Sequence, residues 1–402
     1  MTKRRVVVTG LGAVTSIGIG KDEFWSNLIA GKSGIDDISN FHTSKYLPQK
    51  GGRVKNFTPS VCISQEAGRA SQFAIEATSE ALEEANFLKS DIKKSKMGAI
   101  FGTTNGESHI LEEINRIWVE NGESDVWART IAKYPLDCIV RSVASHFKIS
   151  GFSCMIPTAC AAANYSIGYA SDLIGNNTMD AMICGGSDPL TRYAFAGFAR
   201  LFAMAPEKCQ PFDKNRKGMM VGEGAGVLLL EDYQHARKRN AHIYAEVLGY
   251  GLSCDAYHMT APSVDGIVKV MERAIRNSGI EKGEVGYICA HGTGTPANDK
   301  AECAAIKKVF ENSIQKVSIS SIKSMLGHTM GAASAIEAIA CILSLANNII
   351  PPTINHETHD SEFDGIDFVP NKAKEKEISI ALNNSFAFGG NNACVAFKKY
   401  GK

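Results

Sequence analysis

Cys160 has the surroundings of a cysteine nucleophile. It stands where a strand-like run, 154–158, turns into a helix of small residues that begins Ala161-Ala162-Ala163. A cysteine in the first turn of a helix lies at the positive end of the helix dipole, which favours the thiolate. Small neighbours also allow a sharp bend that lifts the sulfur into a cavity, as in other elbows between a strand and a helix. Taken alone, Cys160 is better explained as a buried structural cysteine.

Two histidines and one lysine follow later predicted strands, at the strand ends where α/β folds place their chemistry. His291 begins a run of small residues, His291-Gly292-Thr293-Gly294-Thr295-Pro296, that allows the close approach of a ligand. Lys323 and His328 bound the segment Lys323-Ser324-Met325-Leu326-Gly327-His328, which leads into a helix. The simpler alternatives are two core histidines and a solvated lysine. No third ligand stands at helical spacing to either histidine, so no metal site is predicted.

A polar segment near the C-terminus, 383–392, is predicted to be a loop ahead of the final strand. Two adjacent glycines, Gly389 and Gly390, follow Phe388 in this segment, and a pair of asparagines stands at each end of it. Such a loop can direct main-chain N–H groups at an oxyanion that develops during a reaction.

Length and composition exclude several classes of protein. The 402 residues predict about two or three domains' worth of structure. With 44% apolar and 21% charged residues, the chain is neither disordered, collagen-like nor a coiled coil. A formal net charge of +1 provides no field for nucleic acid. We find no run of about 18 apolar residues and therefore expect no membrane span, and the N-terminus lacks the apolar stretch and cleavage site of a signal peptide.

Cysteine usage favours a reducing compartment. The chain has 11 cysteines, an odd number, and no two of them form a C-x-x-C pair. A zinc site or a disulfide framework is therefore not expected. Most of these cysteines are predicted to be small buried hydrophobic residues, and the predicted location is the cytoplasm.

Strand-like and helix-like segments alternate along the chain, which predicts an α/β fold with largely parallel strands. Both halves open with an apolar strand ending in glycine, place a polar cluster after a later strand and include an Ala/Gly-rich helix. This likeness predicts a duplicated unit, 1–240 and 241–402, that shares one interface. The predicted strands are 5–9, 97–101, 154–158, 181–184, 226–231, 243–250, 285–290, 317–320, 378–382 and 394–398, and the predicted helices are 21–30, 70–86, 161–174, 266–278, 300–310 and 331–346.

Two glycine-rich stretches resemble cofactor motifs only in part. In the stretch 9–15, Thr15 stands where the dinucleotide-binding fingerprint requires its third glycine, and 222–226 lacks the Gly-Lys-Ser/Thr end of a phosphate loop. Both stretches are predicted to be tight turns with close backbone approach.

Several motifs, in the same order, resemble those of the β-ketoacyl-[acyl carrier protein] synthases, most closely the elongating KAS II type. The resemblance spans nearly the whole chain. It implies a thiolase fold, in which two similar α/β halves form a five-layered α-β-α-β-α core that is usually dimeric. The motifs are Val8-Thr9-Gly10-Leu11-Gly12, Thr158-Ala159-Cys160, Pro211-Phe212-Asp213-Lys214-Asn215-Arg216, Asp255-Ala256-Tyr257-His258-Met259-Thr260, His291-Gly292-Thr293-Gly294-Thr295-Pro296, Lys323-Ser324-Met325-Leu326-Gly327-His328 and Phe388-Gly389-Gly390.

The resemblance implies a 3-oxoacyl-[acyl carrier protein] synthase, which condenses malonyl-[acyl carrier protein] with an enzyme-bound acyl chain as carbon dioxide departs. Cys160 would accept the acyl chain, and the N–H groups of Cys160 and Phe388 would form the oxyanion hole. Phe388 would also gate the acyl pocket. His291 and His328 would stabilise the enolate as neutral donors, with Lys323 in a supporting role. No bound cofactor or metal is implied, because the carrier protein's phosphopantetheine holds the substrates.

Two further groups of residues receive roles from the resemblance. Thr293 and Thr295 would bind the pantetheine arm, with Thr260 on a loop flanking its approach. Glu302 and Glu337 would tie the active-site loops together.

The implied partners are acyl carrier protein and a second subunit. Carrier proteins are acidic, so a basic rim is expected to steer them. Arg69 and Arg216 are candidates for this rim by motif position, although ordinary solvated charges explain them equally well. The second subunit would be either a copy of the chain or a chain-length factor, a homologue without the nucleophile.

The chain departs from the fatty-acid elongating pattern at several positions. The elongating enzymes usually have Ser at the position of Gly294 and Thr at the position of Asn391. Ala161-Ala162-Ala163 stands where hydroxyl residues are common. Lys217-Gly218-Met219-Met220 replaces an Asp-Gly-Phe run. The segment 102–107 replaces a Gly-rich apolar stretch that borders the acyl pocket. These variants resemble ketosynthases of bacterial type II polyketide or polyene pathways. Pathway, acyl chain length and number of cycles stay open.

Three alternative functions are compatible with parts of the sequence. A thiolase-type acyltransferase would use a second cysteine where this chain has one of its two histidines. A non-catalytic or chain-length-setting partner subunit would not need Cys160, His291 and His328, all of which are present. A metal-dependent hydrolase would use the histidines as ligands, and stoichiometric zinc in the pure protein would support it.

Overall fold

Continuous apolar runs form the central strands of the protein. β1 (Val6–Thr15) is buried at every position, as is its antiparallel partner β8 (Gly224–Asp232). Strands covered on both faces read as unbroken apolar runs, which explains why their sequences do not alternate. The structure is a computed structural model that describes residues 3–46, 49–63, 67–87, 93, 96–122 and 128–401.

The first half of the chain contains strands and helices in alternation, with several of them longer than the sequence predicted. Its elements are β1, β2 (Gly18–Ile19), α1 (Lys21–Ile29), β3 (Ile35–Asp37), β4 (Lys50–Gly52), α2 (Arg69–Glu84), β5 (Met97–Gly102), α3 (Ser108–Asn121), α4 (Ala128–Ile131), α5 (Cys138–His146), β6 (Ser153–Ile156), α6 (Ala162–Gly175), β7 (Ala181–Asp188), α7 (Arg192–Arg200), β8 (Gly224–Asp232) and α8 (Tyr233–Lys238).

The second half repeats the alternation. Its elements are β9 (Ala245–Cys254), α9 (Val264–Ser278), β10 (Val285–Cys289), α10 (Pro296–Phe310), β11 (Ser318–Ser320), α11 (Lys323–Leu326), α12 (Ala333–Asn347), β12 (Ile349–Ile350), β13 (Lys374–Glu375), β14 (Ile380–Phe386) and β15 (Asn391–Lys399). The connector 239–244 contains the boundary predicted at residue 240, and the division into domains stays a prediction.

The two halves share one strand order. It is β6-β5-β7-β8-β1 in the first and β11-β10-β14-β15-β9 in the second. In each half, the first three strands of this order pair in parallel. The fourth strand pairs antiparallel with the third and with the fifth. The expectation of largely parallel strands was therefore wrong for β1, β8, β9 and β15. Helices cover both faces here, so apolar runs alone do not distinguish parallel from antiparallel pairing.

The two sheets enclose a shared helical layer. They are joined by a short antiparallel ladder in which Val6, Val7 and Val8 pair with Val247, Glu246 and Ala245. Helices α6 and α12 contact each other and both sheets, whereas α2 and α5 cover the first sheet and α9 and α10 cover the second. These layers are the α-β-α-β-α arrangement that the sequence resemblance implied.

The glycines of β1 and β8 lie within strands and not in the predicted turns. A Cβ atom on Gly12 would stand 1.8 Å from the carbonyl oxygen of Ala77 in α2, and Gly10 meets the next turn of that helix in the same way. A Cβ atom on Gly226 would stand 2.7 Å from the main-chain nitrogen of Ile336 in α12. The close backbone approach was predicted correctly, and it brings strand and helix together.

One segment of the described chain is long and apolar enough to cross a membrane by length and composition. It is Met330–Asn347, with a mean hydropathy of 1.5 over 18 residues, but Ser334, Glu337 and Ser344 interrupt it, so it is not an unbroken apolar run. Inside the protein, 89% of this segment is buried. It contains α12, which fills the layer between the sheets, and this burial accounts for its apolar composition.

Candidate active site

A bend between β6 and α6 presents Cys160. The residues Ala159–Ala161 form one turn of 3-10 helix that continues into α6. Ala159 has a φ of 50°, a left-handed conformation that side chains other than glycine rarely adopt. The carbonyl oxygen of Cys160 accepts hydrogen bonds from Oγ of Ser385 at 2.8 Å and Oγ of Ser334 at 3.4 Å. Residues of the second half therefore hold the bend that carries the predicted nucleophile.

The Cys160 thiol is protonated in the resting protein. Burial raises its pKa to about 12, against a smaller lowering by the nearby charge of Lys323. Removal from water therefore favours the protonated thiol over the thiolate that the helix end alone would favour. The main-chain N–H groups of Cys160 and Phe388 face the sulfur and lower this pKa. These two amides converge at the position predicted for the oxyanion hole.

His291 and His328 stand beside each other as neutral imidazoles. Their ring centroids are 5.4 Å apart at an angle of 81°. Burial, together with the charge of Lys323, lowers the pKa of both rings well below the usual 6.5. Nδ1 of His328 accepts a hydrogen bond from the N–H of Met330 at 3.1 Å, so the ring proton lies on Nε2. That Nε2 is buried and has no hydrogen-bond partner among the described residues.

Glu302 fixes the main chain around His291. Its Oε1 accepts from the N–H of His291 at 2.9 Å, and its Oε2 accepts from the N–H of Gly292 at 2.8 Å. The carboxyl is fully buried in α10, and burial raises its pKa to about 7. The structure thus places Glu302 between α10 and the His291 loop, which is the position its predicted tying role requires.

Lys323 and Glu337 form an ion pair with both side chains 2% exposed. Lys323 begins the short helix α11 and Glu337 lies in α12. Burial raises the pKa of Glu337 to about 7 even beside the lysine charge. The pair therefore places a buried cation next to Cys160 and the two histidines.

A small cavity joins most of the predicted site residues. Oγ1 of Thr293 and Oγ1 of Thr295 lie 2.8 Å apart in its wall, and Thr295 also caps the start of α10. The main-chain N–H of Thr260 donates to Nδ1 of His258 at 3.1 Å within the loop after β9. The predicted residues that line this cavity are Cys160, His291, His328, Phe388, Thr260, Thr293 and Thr295.

Phe388 separates this cavity from a second, wider cleft. Cys160, Phe198 and Phe388 line both spaces, and the two phenylalanine rings are 5.8 Å apart. Gly389 and Gly390, with φ of 85° and 84°, form the turn after Phe388. The loop predicted for 383–392 is confined to residues 387–390, because β14 runs through Phe386 and β15 begins at Asn391.

The second cleft begins at Cys160, and its partly apolar wall includes several polar side chains. The residues after β5 contribute Thr104 and Asn105, and α3 contributes His109 and Glu112. Oγ1 of Thr104 is buried without a hydrogen-bond partner among the described residues. A chain attached to Cys160 on this side would therefore meet polar groups near the sulfur.

Arg69 and Arg216 are occupied by internal ion pairs. Arg69 donates to both carboxylate oxygens of the fully buried Glu223, at 2.9 and 2.7 Å. Arg216 donates to Asp360 at 2.6 Å, and its side chain is 7% exposed. Each guanidinium already neutralises an acidic side chain, so the pair supplies no unpaired charge to a basic rim, and the contact of Arg69 and Arg216 with carrier protein stays a prediction.

Sequence reasoning missed Asp188 and Phe198. Asp188 is buried at the end of β7, and its charge raises the pKa of Cys160. The signal for it was available, since an acidic residue follows an apolar strand and two glycines. Phe198 lies in α7 with nothing in the surrounding sequence to distinguish it from a core residue.

The described residues hold no cluster of three or more His, Cys, Asp or Glu side chains that could bind a metal ion. Their arrangement can instead perform acyl transfer. It combines a cysteine, two convergent amides and a ring N–H donor around one cavity.

Two family descriptions match consecutive parts of the chain. They are the beta-ketoacyl synthase N-terminal domain over residues 3–236 and the beta-ketoacyl synthase C-terminal domain over residues 244–357. Curated relatives named 3-oxoacyl-[acyl-carrier-protein] synthase 2 are 37% identical. In Synechocystis sp. the match covers 100% of this chain and 99% of the relative, and in Coxiella burnetii it covers 99% of each.

Solved structures agree with this family over the whole fold. The ishigamide ketosynthase/chain length factor has a TM-score of 0.96 and 41% identity, covering 99% of this chain and 100% of that one. A type II PKS acyl-carrier protein complex with its ketosynthase has a TM-score of 0.92 and 33% identity, with the same coverage. The chain belongs to the β-ketoacyl synthase family.

Proposed function

We propose that this protein is a 3-oxoacyl-[acyl carrier protein] synthase that forms a carbon–carbon bond by decarboxylative Claisen condensation. The observation that carries the proposal is the convergence of Cys160, its two amide donors and two neutral histidines on one cavity. Full-length similarity to relatives named for this activity supports it.

Acyl transfer to Cys160 comes first. The sulfur attacks the carbonyl carbon of an acyl thioester, and the N–H groups of Cys160 and Phe388 donate to the oxyanion that develops. The bond from the carbonyl to the pantetheine sulfur then breaks. The thiol proton of Cys160 ends on that departing sulfur, so the step needs no external acid or base overall. The acyl chain extends into the second cleft, past Phe388.

Decarboxylation of the malonyl group follows. The bond to its carboxylate breaks, carbon dioxide leaves, and the electron pair becomes an enolate whose oxygen accepts from Nε2–H of His328 and from the ring of His291. The enolate carbon attacks the acyl carbonyl on Cys160. The carbon–sulfur bond breaks, releasing a 3-oxoacyl product two carbons longer and the Cys160 thiolate, which takes a proton from water.

The substrates reach the site on a phosphopantetheine arm, without a bound cofactor or metal. Thr260, Thr293 and Thr295 line the cavity through which the arm would extend. Acyl carrier protein is therefore the proposed partner, as in the similar structure of a carrier protein with its ketosynthase. Contact through Arg69 and Arg216 stays a prediction from the motif.

A chain-length factor is the proposed second subunit, and a second copy of the chain is the alternative. Similar structures at 41% and 26% identity pair a ketosynthase with such a factor. The proposed pathway is type II polyketide synthesis in the cytoplasm, with fatty acid synthesis as the alternative. The polar residues Thr104, Asn105 and His109 in the second cleft favour this choice.

The intact mass of the purified protein tests the proposal. After incubation with acyl carrier proteins that bear short and long acyl chains, we expect a mass increase equal to one acyl group. Cys160→Ala should show no increase under the same conditions, and the preferred chain should acylate fastest. A wild-type protein without an adduct from any chain, tested with and without the chain-length factor, would contradict the proposal.

A further inference from the structure

Asp188 occupies a buried position between two loops that approach the site from different halves. Its Oδ1 accepts from Oγ1 of Thr103 at 2.7 Å and from the N–H of Asn105 at 3.1 Å. Its Oδ2 accepts from the N–H of Thr104 at 2.8 Å and from the N–H of Gly331 at 2.7 Å. Four donors satisfy the carboxylate, and one of them comes from the segment that follows His328.

The Gly331 contact fixes the peptide next to the donor that orients His328. Met330 gives its N–H to Nδ1 of His328 at 3.1 Å, and the next N–H, that of Gly331, goes to Asp188. Met330 has a φ of 54°. A methionine holds this left-handed conformation only where surrounding contacts impose it. The bond to Asp188 is such a contact, applied one residue after the strained position.

The two loops also touch directly. A Cβ atom on Gly331 would stand 2.5 Å from Cα of Thr103 and 2.6 Å from the main-chain nitrogen of Thr104. No side chain fits between them, so displacement of one loop displaces the other. Thr104 and Asn105 line the second cleft, which places the wall of the proposed acyl pocket against the loop that orients His328.

We propose that Asp188 is a positioning residue for His328. By holding the Gly331 N–H, it keeps the Met330 N–H on Nδ1 of His328 and therefore keeps the ring proton on Nε2. Nε2 is the atom that donates to the enolate in the proposed mechanism. The inference rests on that mechanism and adds a residue of the first half to the decarboxylation step.

The positioning role of Asp188 predicts different consequences for the two half-reactions, acylation of Cys160 and decarboxylation of the malonyl group. The Asp188 charge raises the pKa of Cys160, so its removal does not make the thiolate harder to form. Loss of the Gly331 contact, in contrast, releases the Met330 peptide and allows the ring proton of His328 to move to Nδ1. A purely structural role would instead impair both half-reactions together.

Asp188→Asn tests whether the two half-reactions respond differently. The amide nitrogen of asparagine would face N–H donors, so at least one of the four hydrogen bonds to residue 188 would be lost. We expect kcat for malonyl-[acyl carrier protein] decarboxylation to fall by about 10- to 100-fold, the usual effect of losing a partner that orients an acting histidine. We expect KM and the rate of Cys160 acylation to stay at the wild-type level or, for acylation, to rise. Asp188→Glu retains the carboxylate and should recover most of the decarboxylation rate.

Glu231→Gln is the matched control. Glu231 is also a fully buried carboxylate with several partners, Thr9, His235 and Arg239, and it lies outside both cavities. Its substitution should leave the ratio of decarboxylation to acylation unchanged.

Nitrogen-15 spectra of histidine-labelled protein supply a readout that does not depend on activity. His328 should be neutral with its proton on Nε2 in the wild type and a mixture of tautomers in Asp188→Asn. A wild-type proton on Nδ1, unchanged decarboxylation in Asp188→Asn, or a parallel loss of both half-reactions would overturn the inference. A wild type inactive in both half-reactions would instead overturn the proposed function.

Discussion

Lys323 and Glu337 form a buried ion pair that links the short helix α11 to the central helix α12. Oε2 of Glu337 has no hydrogen-bond partner among the described residues, so Lys323 provides most of the compensation for burying this carboxylate. The same ammonium lowers the pKa of His291, His328 and Cys160. One cation therefore supports both the stability of the core and the neutral state of the histidines.

Removing one member of this pair should destabilise the protein more than removing both. Lys323→Met leaves a carboxyl buried without its partner, and we expect the free energy of unfolding to fall by about 3 to 5 kcal/mol. The double variant Lys323→Met/Glu337→Leu should lose less than the sum of the single changes. Urea unfolding of all four proteins measures the coupling, and strict additivity would show that the two side chains do not interact.

Cys160 should react slowly with alkylating agents at neutral pH. Its pKa of about 12 keeps the thiol protonated, and below that pKa the thiolate fraction rises about tenfold for each pH unit. Alkylation by iodoacetamide, followed on the Cys160 peptide by mass spectrometry, should therefore increase steadily from pH 7 to pH 10. A plateau near pH 8 would mean that the sulfur is already ionised. Cys160→Ala identifies the peptide, and exposed Cys62 is the internal comparison.

His328→Ala should separate decarboxylation from acylation. Without the Nε2 donor, we expect the decarboxylation rate to fall by about 100-fold or more, whereas the mass increase on Cys160 should still appear. His328→Gln is the informative companion, because its amide nitrogen can take the place of Nε2 and should recover part of the rate. Failure of His328→Ala to become acylated would show that the histidine also acts in the first step.

The two histidines should add no pH dependence to the rate of decarboxylation between pH 6.5 and pH 8. Both histidine pKa values lie well below 6.5, so each ring is already neutral at the lower end and neither loses a proton over the interval. Single-turnover measurements with malonyl-[acyl carrier protein] over this range, together with nitrogen-15 spectra of the histidines, check the expectation. The spectra distinguish a histidine from the buried carboxyls of Glu302 and Glu337, whose pKa values are about 7. A histidine ring that loses a proton in this interval would contradict the expectation.

Arg69→Ala should act mainly through stability. The substitution leaves the fully buried Glu223 without its guanidinium, and we expect a loss of about 3 kcal/mol in the free energy of unfolding. Arg116→Ala is the control, since Arg116 pairs with Glu120 on an exposed helical face and should change stability by well under 1 kcal/mol. Weaker carrier-protein binding by Arg69→Ala at unchanged stability would support the docking role predicted from the motif.

Sequence reasoning located the functional segments because polar residues at strand ends interrupt long apolar runs. The positions of Cys160, His291 and His328 all follow from that contrast. Family resemblance added the roles of residues such as Phe388, whose type alone indicates only a core residue. The extent of β14 was missed because its polar asparagines are buried in hydrogen bonds between the halves, as between Asn383 and Asn164, and such pairing is not encoded locally.

The sequence-based predictions that differ from the structure concern properties of a residue that depend on its surroundings in the folded protein. Whether Cys160 is a thiolate depends on how completely water is removed from it, and whether Arg216 is free depends on the distant Asp360. Asp188 was overlooked for the same reason, since its partners come from two distant segments, 103–105 and Gly331. Strand direction is likewise not encoded in an apolar run, because helices cover both faces of parallel and antiparallel strands here.

The last strand of the chain, β15, lies in the interior of the second sheet, between β14 and β9. During synthesis on the ribosome, β14 and β9 would lack the strand that pairs with both of them until residues 391–399 have been made. Phe388 would acquire a fixed position only then, since β15 holds one side of its turn. Premature termination before Asn391 should therefore give an inactive polypeptide with an exposed sheet edge, a target for proteolysis and not a partly working enzyme.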